Sequence, residues 1–285
     1  MSQDPPQTPE PSFELKRPKP MTARYPADEP PRRLAPPPPR KVVVLGALSA
    51  MAAATARLYA ADKGRLILVA RHEGRLQALA DDLRARGAAQ VEIETLDLAV
   101  EAASAAQRMR AWSETLGGLD HVLVFHGYLG DQAAASSDAA ELARIIDVNF
   151  TSAALWCEAA AGVFRTQGRG ALVAVSSVAG DRGRQSNYAY GAAKGGLALF
   201  VQGLAHSLAA SNARAVALKP GFVDTPMTEG LKKGGPLWAK PEAIAEAVRR
   251  AAERGGPIQY APGFWRWIML AIRSAPAFVF HRTRL

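Results

Sequence analysis

The chain has 285 residues, 48% of them hydrophobic, which is enough to form one sizeable core and one α/β domain. Its only cysteine, Cys157, excludes an intrachain disulfide, and no metal site is predicted. A formal charge of +9 suits a phosphorylated ligand or an anionic membrane; nucleic acid is not an expected partner, because lysines and arginines form no stripe interleaved with aromatic residues.

The N-terminal segment, residues 1–40, contains thirteen of the twenty prolines and few large apolar residues. We predict a disordered or polyproline-like tail here, since such a composition cannot bury enough apolar surface to fold. The segment lacks the apolar core of a secretory signal, and no stretch of the chain approaches the ~18 apolar residues of a spanning helix. A cytoplasmic protein is therefore expected.

From residue 41 onwards, short Val- and Leu-rich stretches alternate with Ala-rich stretches of helical spacing. The pattern predicts strands at 41–45, 65–69, 91–96, 120–125, 171–176, 214–219 and 257–261. Helices are predicted at 49–62, 73–86, 99–116, 138–166, 190–209 and 241–254. Such alternation indicates one α/β domain over residues 41–262, a Rossmann-type, doubly wound parallel sheet with helices on both faces. Ligands of such folds bind at the carboxyl ends of the strands.

The first two strand ends carry features that suit a dinucleotide. Gly46 lies directly after strand one and before a helix, where a helix N-terminus can receive a phosphate. At the end of strand two, Ala70 cannot accept a hydrogen bond from a ribose hydroxyl, whereas Arg71 can pair with a 2′-phosphate. NADP(H) is therefore favoured over NAD(H), which stays possible because Arg71 could merely be a solvated residue at a helix start.

The segment from Ser177 to Lys194 contains the side chains that can carry out acid–base chemistry. Ser177 follows a predicted buried strand, and Tyr190 and Lys194 lie four residues apart on one face of a predicted helix. An ammonium group beside a phenol favours the phenolate, so we expect Lys194 to lower the pKa of Tyr190 from its usual ~10. Tyr188 competes for the acid–base position, but it lies closer to Ser177 and has Ala192, not a lysine, four residues on.

Three features resemble the short-chain dehydrogenase/reductase family: the spacing from Ser177 to Tyr190, the Tyr-x-x-x-Lys pair and the preceding Ser-Ser-Val-Ala-Gly run. The resemblance implies that Ser177, Tyr190 and Lys194 are catalytic and that Asn149 helps to hold a proton-relay water. It also implies cofactor contacts, which are expected from Gly46, Ser49, Met51, Arg71, Asp97, Gly127, Tyr190, Lys194, Val223 and Thr225. Asp97 would lie beside the adenine, or cap the following helix.

The chain departs from the family pattern in two places. Ala50 and Ala52 occupy positions where the family has glycines that let the backbone approach the pyrophosphate, so weakened or reshaped binding is expected. Only Gly127 matches the usual Asn-Asn-Ala-Gly run, and His126 before it is interpreted as a packed structural residue.

A narrower resemblance begins at Gly127. The pattern Gly127-x-Leu-Gly-Asp-Gln, followed by Asp147-x-Asn149-Phe150, is similar to the decaprenylphosphoryl-2-keto-erythro-pentose reductase branch. This implies reduction of the 2-keto group of a polyprenyl-phosphoryl pentose in cell-envelope sugar-donor synthesis, with a flavoprotein oxidase as a partner. The family also implies a homo-oligomer.

The C-terminal segment, residues 263–285, combines aromatic residues with arginines on a short amphipathic stretch. Such a segment suits peripheral contact with the inner face of the cytoplasmic membrane, or burial against the core or a second subunit. Two alternatives to the lipid-linked substrate stay open. The enzyme could act on a soluble ketone or a ketoacyl chain, or the protein could be a non-catalytic scaffold that retains the fold.

Overall fold

Seven parallel strands form one sheet in a computed structural model that describes residues 39–229 and 234–283. The predicted tail lies outside these residues, apart from its last two positions. The sheet order is β3-β2-β1-β4-β5-β6-β9, and β7 and β8 form a separate two-stranded parallel pair. The strands are β1 (Lys41–Leu45), β2 (Arg65–Ala70), β3 (Gln90–Thr95), β4 (His121–Val124), β5 (Arg169–Val175), β6 (Asn212–Pro220), β7 (Phe222–Val223), β8 (Trp238–Ala239) and β9 (Ile258–Ala261).

Helices connect the strands and cover both faces of the sheet. They are α1 (Ala50–Ala61), α2 (Glu73–Ala85), α3 (Ala105–Leu116), α4 (Gln132–Ala135), α5 (Ala139–Ile146), α6 (Ser152–Gln167), α7 (Tyr188–Ser207), α8 (Pro241–Arg254), α9 (Trp265–Ser274) and α10 (Ala277–Phe280). In the described part of the chain, none is long and apolar enough to cross a membrane. The predicted doubly wound α/β fold is confirmed.

Alternate residues of the strands pack into different cores. Val43 and Leu45 of β1 join the cluster formed with α3, α6 and α7, whereas Val42 and Val44 join the cluster formed with α1, α2 and α8. All four side chains are fully buried. A sheet buried on both faces requires near-continuous apolar strands, which is the pattern from which these strands were predicted.

Two predicted helices differ from the structure. The stretch 138–166 is interrupted, because Asp147–Thr151 forms a π-helical turn between α5 and α6. The stretch 99–116 begins later, with a short 3-10 turn at Ala102–Ser104 before α3. Single π turns inside helices are frequent at functional sites, and this one contains Asn149.

The chain reverses its direction of winding between β3 and β4, which lie on opposite sides of β1. The loops that follow β1 and β4 therefore diverge at the carboxyl edge of the sheet and leave a crevice, the usual ligand position in an open α/β sheet. Gly46 follows β1 and Gly127 lies shortly after β4, so the fold brings these two distant positions to one edge.

Candidate active site

Ser177 is placed by the end of β5. After Val175 the chain turns into a short 3-10 helix, Val178–Asp181, and the Ser177 hydroxyl oxygen accepts a hydrogen bond of 3.1 Å from the Ala179 amide. The Ser177 side chain also makes a hydrogen bond with Tyr190. The preceding Ser176 is buried and donates 2.7 Å to the Lys194 carbonyl, which ties the strand end to α7.

Close packing of α7 on this turn brings Tyr190 to Ser177. A Cβ added to Gly191 would lie 2.8 Å from the Ala179 carbonyl oxygen, and one added to Gly195 would lie 2.7 Å from the Gly180 carbonyl oxygen. Both positions therefore require glycine for the helix to approach so closely. These two glycines, four residues apart around Lys194, are the signal in the sequence from which this close helix packing could have been predicted.

Tyr190 is a neutral phenol at physiological pH. Burial raises its pKa to about 12, and the side-chain hydrogen bond with Ser177 opposes this rise. The sequence led us to expect a lowered pKa, and this expectation is wrong for the site as it stands, because the net shift is upward. The ammonium nitrogen of Lys194 lies 5.9 Å from the centroid of the Tyr190 ring, so burial outweighs the charge.

Lys194 is also buried, with 3% of its surface exposed. Its ammonium nitrogen donates 3.1 Å to the carbonyl oxygen of Val175, the last residue of β5. Burial lowers the pKa of Lys194 to about 8, because an ammonium group in an apolar surrounding loses its hydration. Lys194 therefore remains largely charged at neutral pH and loses its proton in mildly basic solution.

Asn149 is completely buried in the π turn before α6. Its amide nitrogen donates to the carbonyl oxygens of Tyr128 and Ile145, and its carbonyl oxygen accepts 3.0 Å from the Tyr128 amide. The side chain thus fastens the loop after β4 to the helix. A Cβ on Gly127 would lie 2.9 Å from the Asn149 carbonyl oxygen and 3.2 Å from the Lys194 nitrogen, so this glycine lets the three residues meet.

Tyr188 and Tyr190 have different environments in the first turn of α7. Tyr188 is 46% exposed, and its hydroxyl group shares a 3.0 Å hydrogen bond with the Ser136 hydroxyl group after α4. The side chain of Tyr190 instead bonds to Ser177. The geometry therefore brings together Ser177, Tyr190 and Lys194 and leaves Tyr188 at the rim.

The environment of His126 does not suit acid–base catalysis. Its Nε2 lies 3.1 Å from the hydroxyl oxygen of Ser152, which donates 2.7 Å to the Leu98 carbonyl. Burial lowers the pKa of His126 to about 3, with the positive charge of Lys194 adding to this effect. A group that remains neutral over the physiological range fits the interpretation of a packed structural residue.

The comparisons with known proteins agree with this geometry. A family model described as short chain dehydrogenase matches residues 40–235. The chain belongs to the short-chain dehydrogenase/reductase family. An uncharacterized oxidoreductase of Mycobacterium tuberculosis is 36% identical over 240 residues, which cover 84% of this chain and 95% of the relative.

Two further matches extend this result. A cis-4-hydroxycyclohexanecarboxylate dehydrogenase of Sinomonas cyclohexanicum is 35% identical over 219 residues, 72% of this chain and 86% of that protein. The structure of an actinorhodin polyketide ketoreductase variant with NADPH has the same fold, with a TM-score of 0.70 at 22% identity over 79% of this chain and 97% of that one. As a short-chain dehydrogenase/reductase, the protein is an oxidoreductase acting on CH–OH or ketone groups, and its fold binds NAD(P)H.

The turn after β1 fits the pyrophosphate of such a cofactor. Gly46 has a φ of +79°, and an added Cβ would lie 2.6 Å from the His126 amide nitrogen, so only glycine fits. Ser49 precedes α1, and its side chain makes no capping hydrogen bond in the described structure. The first N–H groups of α1, including that of Met51, are therefore available to a phosphate.

The two alanines of this turn are not equivalent. Ala52 is fully buried and packs in the core between the sheet and α1, so its methyl group faces away from the crevice. Ala50 is partly exposed at the start of the helix. Of the two additional Cβ atoms, therefore, only that of Ala50 is expected to approach the pyrophosphate.

Arg71 and Asp97 face each other beyond β2 and β3. An Arg71 guanidinium nitrogen lies 3.7 Å from an Asp97 carboxylate oxygen, and 64% of the Arg71 side chain is exposed. Asp97 also accepts 2.9 Å from the Ala99 amide, so it caps the loop after β3 and not a helix, because α3 begins only at Ala105. Arg71 remains open to a ligand phosphate on its exposed side.

Val223 and Thr225 lie in the loop after β6. Val223 is buried in the pair of β7 with β8, and its carbonyl oxygen accepts 2.7 Å from the Thr228 hydroxyl group. Thr225 caps the short 3-10 turn Pro226–Thr228. Their expected contacts with the nicotinamide and phosphates stay predictions.

Proposed function

We propose that the protein uses NADP(H) to reduce the 2-keto group of a polyprenyl-phosphoryl pentose in cell-envelope sugar-donor synthesis. The observation that carries the ketone reduction is the neutral Tyr190 phenol bonded to Ser177 beside the buried Lys194. A phenol that carries its proton at neutral pH suits the reductive direction, because the product oxygen must gain a proton. Exposed Arg71 supports NADP(H) through its capacity to pair with a 2′-phosphate.

Each residue of the site has a part in this reaction. The chemistry that the nicotinamide supplies when bound is a hydride for the carbonyl carbon. With a ketone bound, Ser177 directs its hydroxyl hydrogen to the carbonyl oxygen, and Tyr190 gives its proton to that oxygen as the alcohol forms. Lys194 stabilises the phenolate left on Tyr190 and holds the nicotinamide ribose. Asn149 supports the water chain that restores the proton.

The C-terminal segment supports a lipid-linked substrate. One side of α9 is part of the fold, because Trp265 and Met269 are buried against Val178 next to the catalytic serine. The other side exposes Trp267 and Leu270 to solvent. An exposed aromatic face on a short helix with arginines suits peripheral contact with an anionic membrane, where a polyprenyl-phosphoryl sugar resides.

A soluble ketone is the second candidate. The relative named cis-4-hydroxycyclohexanecarboxylate dehydrogenase is 35% identical, and its name specifies a small cyclic alcohol. A non-catalytic scaffold is disfavoured, because Ser177 and Tyr190 are bonded and Lys194 is buried beside them at a cost in solvation. A protein without chemistry would gain nothing from this arrangement.

Replacement of the proposed acid tests the reaction. Tyr190→Phe should reduce turnover by about a hundred- to ten-thousand-fold, because it removes only the transferable proton. The measurement follows NADPH oxidation with a farnesyl-phosphoryl 2-keto-pentose and, separately, with 4-oxocyclohexanecarboxylate. A preference for the lipid-linked ketone supports the proposed substrate, whereas a preference for the cyclic acid favours the second candidate.

Tyr59→Phe is the matched control. Tyr59 is a buried phenol in α1 whose hydroxyl group lies 2.7 Å from His121 Nδ1, away from the catalytic site. The same chemical change there should leave turnover near that of the unmodified protein. Turnover of Tyr190→Phe equal to that of Tyr59→Phe would contradict the assignment.

A further inference from the structure

A cavity of about 490 Å³ lies between the loop after β5 and the C-terminal end of the described chain. Its walls include Arg182, Arg184 and Tyr188 on one side and Phe280 and His281 on the other. The catalytic reaction described above uses none of these side chains. Tyr188, at the start of α7, is the residue of that helix that lines the cavity.

Arg182 forms a rigid part of the wall. Its guanidinium group donates to the carbonyl oxygens of Ile272 and Ala275 at the end of α9, the second at 2.6 Å. The same group lies over the Phe280 ring, 3.8 Å from the ring centroid. These contacts fix one positive charge at the edge of the cavity and hold α10 in place.

Arg184 contributes a second positive charge, on which Asp181 acts electrostatically without a hydrogen bond to its Nε. Its Nε is buried and has no hydrogen-bond partner among the described residues. The nearest carboxylate in the chain order, Asp181, accepts hydrogen bonds from Lys219 and Tyr260 instead. No carboxylate lines the cavity within the described ranges, so a buried N–H donor on a cation faces a site without an anion.

The surface beside the cavity is apolar. Phe278 and Val279 stand next to Phe280 in α10 and are 67% and 44% exposed, respectively. A free inorganic anion would use the arginines but not this surface. An amphiphilic anion would use both, because its charged group pairs with the guanidinium groups and its apolar part covers exposed side chains.

We infer that this cavity binds the phosphoryl group of an amphiphilic phosphate ester, with Arg182 and Arg184 on the phosphoryl oxygens and the apolar chain over Phe278 and Val279. The inference deepens the proposed function and rests on it for the identity of the substrate. It assigns to the C-terminal segment a direct part in substrate binding, because Phe280 and His281 line the cavity.

Calorimetric titration of the full-length chain with farnesyl phosphate, farnesol and inorganic phosphate tests this inference. Farnesyl phosphate should bind at least about tenfold more tightly than either fragment, because a charge-assisted hydrogen bond contributes about 1.4 kcal/mol or more, equivalent to that factor. Arg184→Gln should weaken binding of farnesyl phosphate by about tenfold and leave farnesol unchanged. The thermal unfolding of the variant, measured alongside, establishes that it is folded.

Arg250→Gln is the matched control, since Arg250 is an exposed arginine of α8 that does not line this cavity. It should bind farnesyl phosphate as the unmodified chain does. Equal affinity for farnesyl phosphate and farnesol would overturn the inference, as would equal losses in the two arginine variants. Inorganic phosphate binding as tightly as farnesyl phosphate would show a free-anion site and overturn it too. The titration needs neither NADPH nor turnover, so its failure and a failure of the ketone reduction are distinguishable.

Discussion

At the scale of single residues, the protonation states of the site follow from burial. Tyr190 is partly buried and Lys194 is buried, and loss of hydration favours the neutral form of each group. The pKa of the phenol rises and the pKa of the ammonium group falls, so the two values approach each other. This arrangement holds a proton on Tyr190 until the reaction draws it away, with a cation nearby to stabilise the phenolate.

The pH dependence of the reduction should report Lys194. With a pKa of about 8, Lys194 loses its charge in mildly basic solution, whereas Tyr190, with a pKa of about 12, stays protonated. We expect kcat/KM to be constant at neutral pH and to fall as the pH rises through about 8. The measurement is the pH profile of NADPH-dependent ketone reduction.

Cys157→Ala separates the lysine from the other group that could titrate in this range. Cys157 is buried near Lys194, and burial raises its pKa to about 12, so the thiol should not contribute. The fall near pH 8 should persist in this variant. A profile that stays flat to about pH 10, or that loses its basic limb with the thiol, would contradict the assignment.

The sequence was sufficient to predict which side chains form the candidate site but not their ionisation. The spacing of Ser177, Tyr190 and Lys194 is local information, and it predicted which side chains meet. The pKa of Tyr190 depends on how α7, β5 and the loop after β4 enclose the phenol, which is a property of the packed fold. For the same reason, the sequence did not show that Ala52 faces the core while Ala50 remains partly exposed.

At the scale of secondary-structure elements, Asp120 joins the amino ends of three central strands. Its carboxylate accepts 3.0 Å from the Lys41 amide in β1 and 2.6 Å from the Arg169 guanidinium group in β5. Burial by itself raises the pKa of Asp120. The two hydrogen bonds and the charge of Arg169 lower this pKa by more than burial raises it, so the net shift is downward. The carboxylate therefore stabilises the fold while it is ionised.

Asp120→Ala should lower the free energy of unfolding at pH 7 by about 2 kcal/mol, the typical loss for hydrogen bonds to a charged group. Because the pKa in the folded state is lowered, this contribution is present above the unfolded pKa of ~3.9 and is lost as the pH falls below it. Denaturant unfolding at pH 7 and at about pH 3 measures the difference, which should shrink in acid.

Glu158→Ala is the control for this measurement. Glu158 pairs with Arg165 on the surface of α6, and such exposed pairs contribute little. Its removal should change stability only slightly at either pH. A loss for Asp120→Ala that is as small as this, or that does not depend on pH, would refute the stabilising role.

Some of the secondary-structure elements could be predicted from the sequence and others could not. The seven strands of the sheet were predictable, because a parallel sheet buried on both faces needs runs of apolar residues. The π turn at Asn149 was not, since it depends on the hydrogen bonds between this side chain and the loop at Tyr128. Burial of the C-terminal segment against the core was one of two alternatives, and the sequence did not decide between them, because Trp265 packs closely only where Gly221 leaves space.

At the scale of the whole molecule, one edge of the sheet collects the functional features. The turn at Gly46 follows the carboxyl end of β1, and the Ser177–Tyr190 pair follows that of β5. The cavity under α10 lies at the C-terminal helices. The opposite edge, at Asp120, contributes stability and no proposed chemistry. The exposed residues of α9 and α10 are at the boundary of the same edge. We predict that they contact a membrane and a lipid-linked substrate.

The most direct test of the central claim is a fluorescence titration of the full-length protein with NADPH and, separately, NADH. We expect saturable binding of NADPH at micromolar concentration and weaker binding of NADH, with a preference of about tenfold that Arg71→Ser removes by weakening NADPH alone. Absence of binding of either cofactor up to millimolar concentration, or a preference for NADH, would contradict an NADP(H)-dependent ketone reductase.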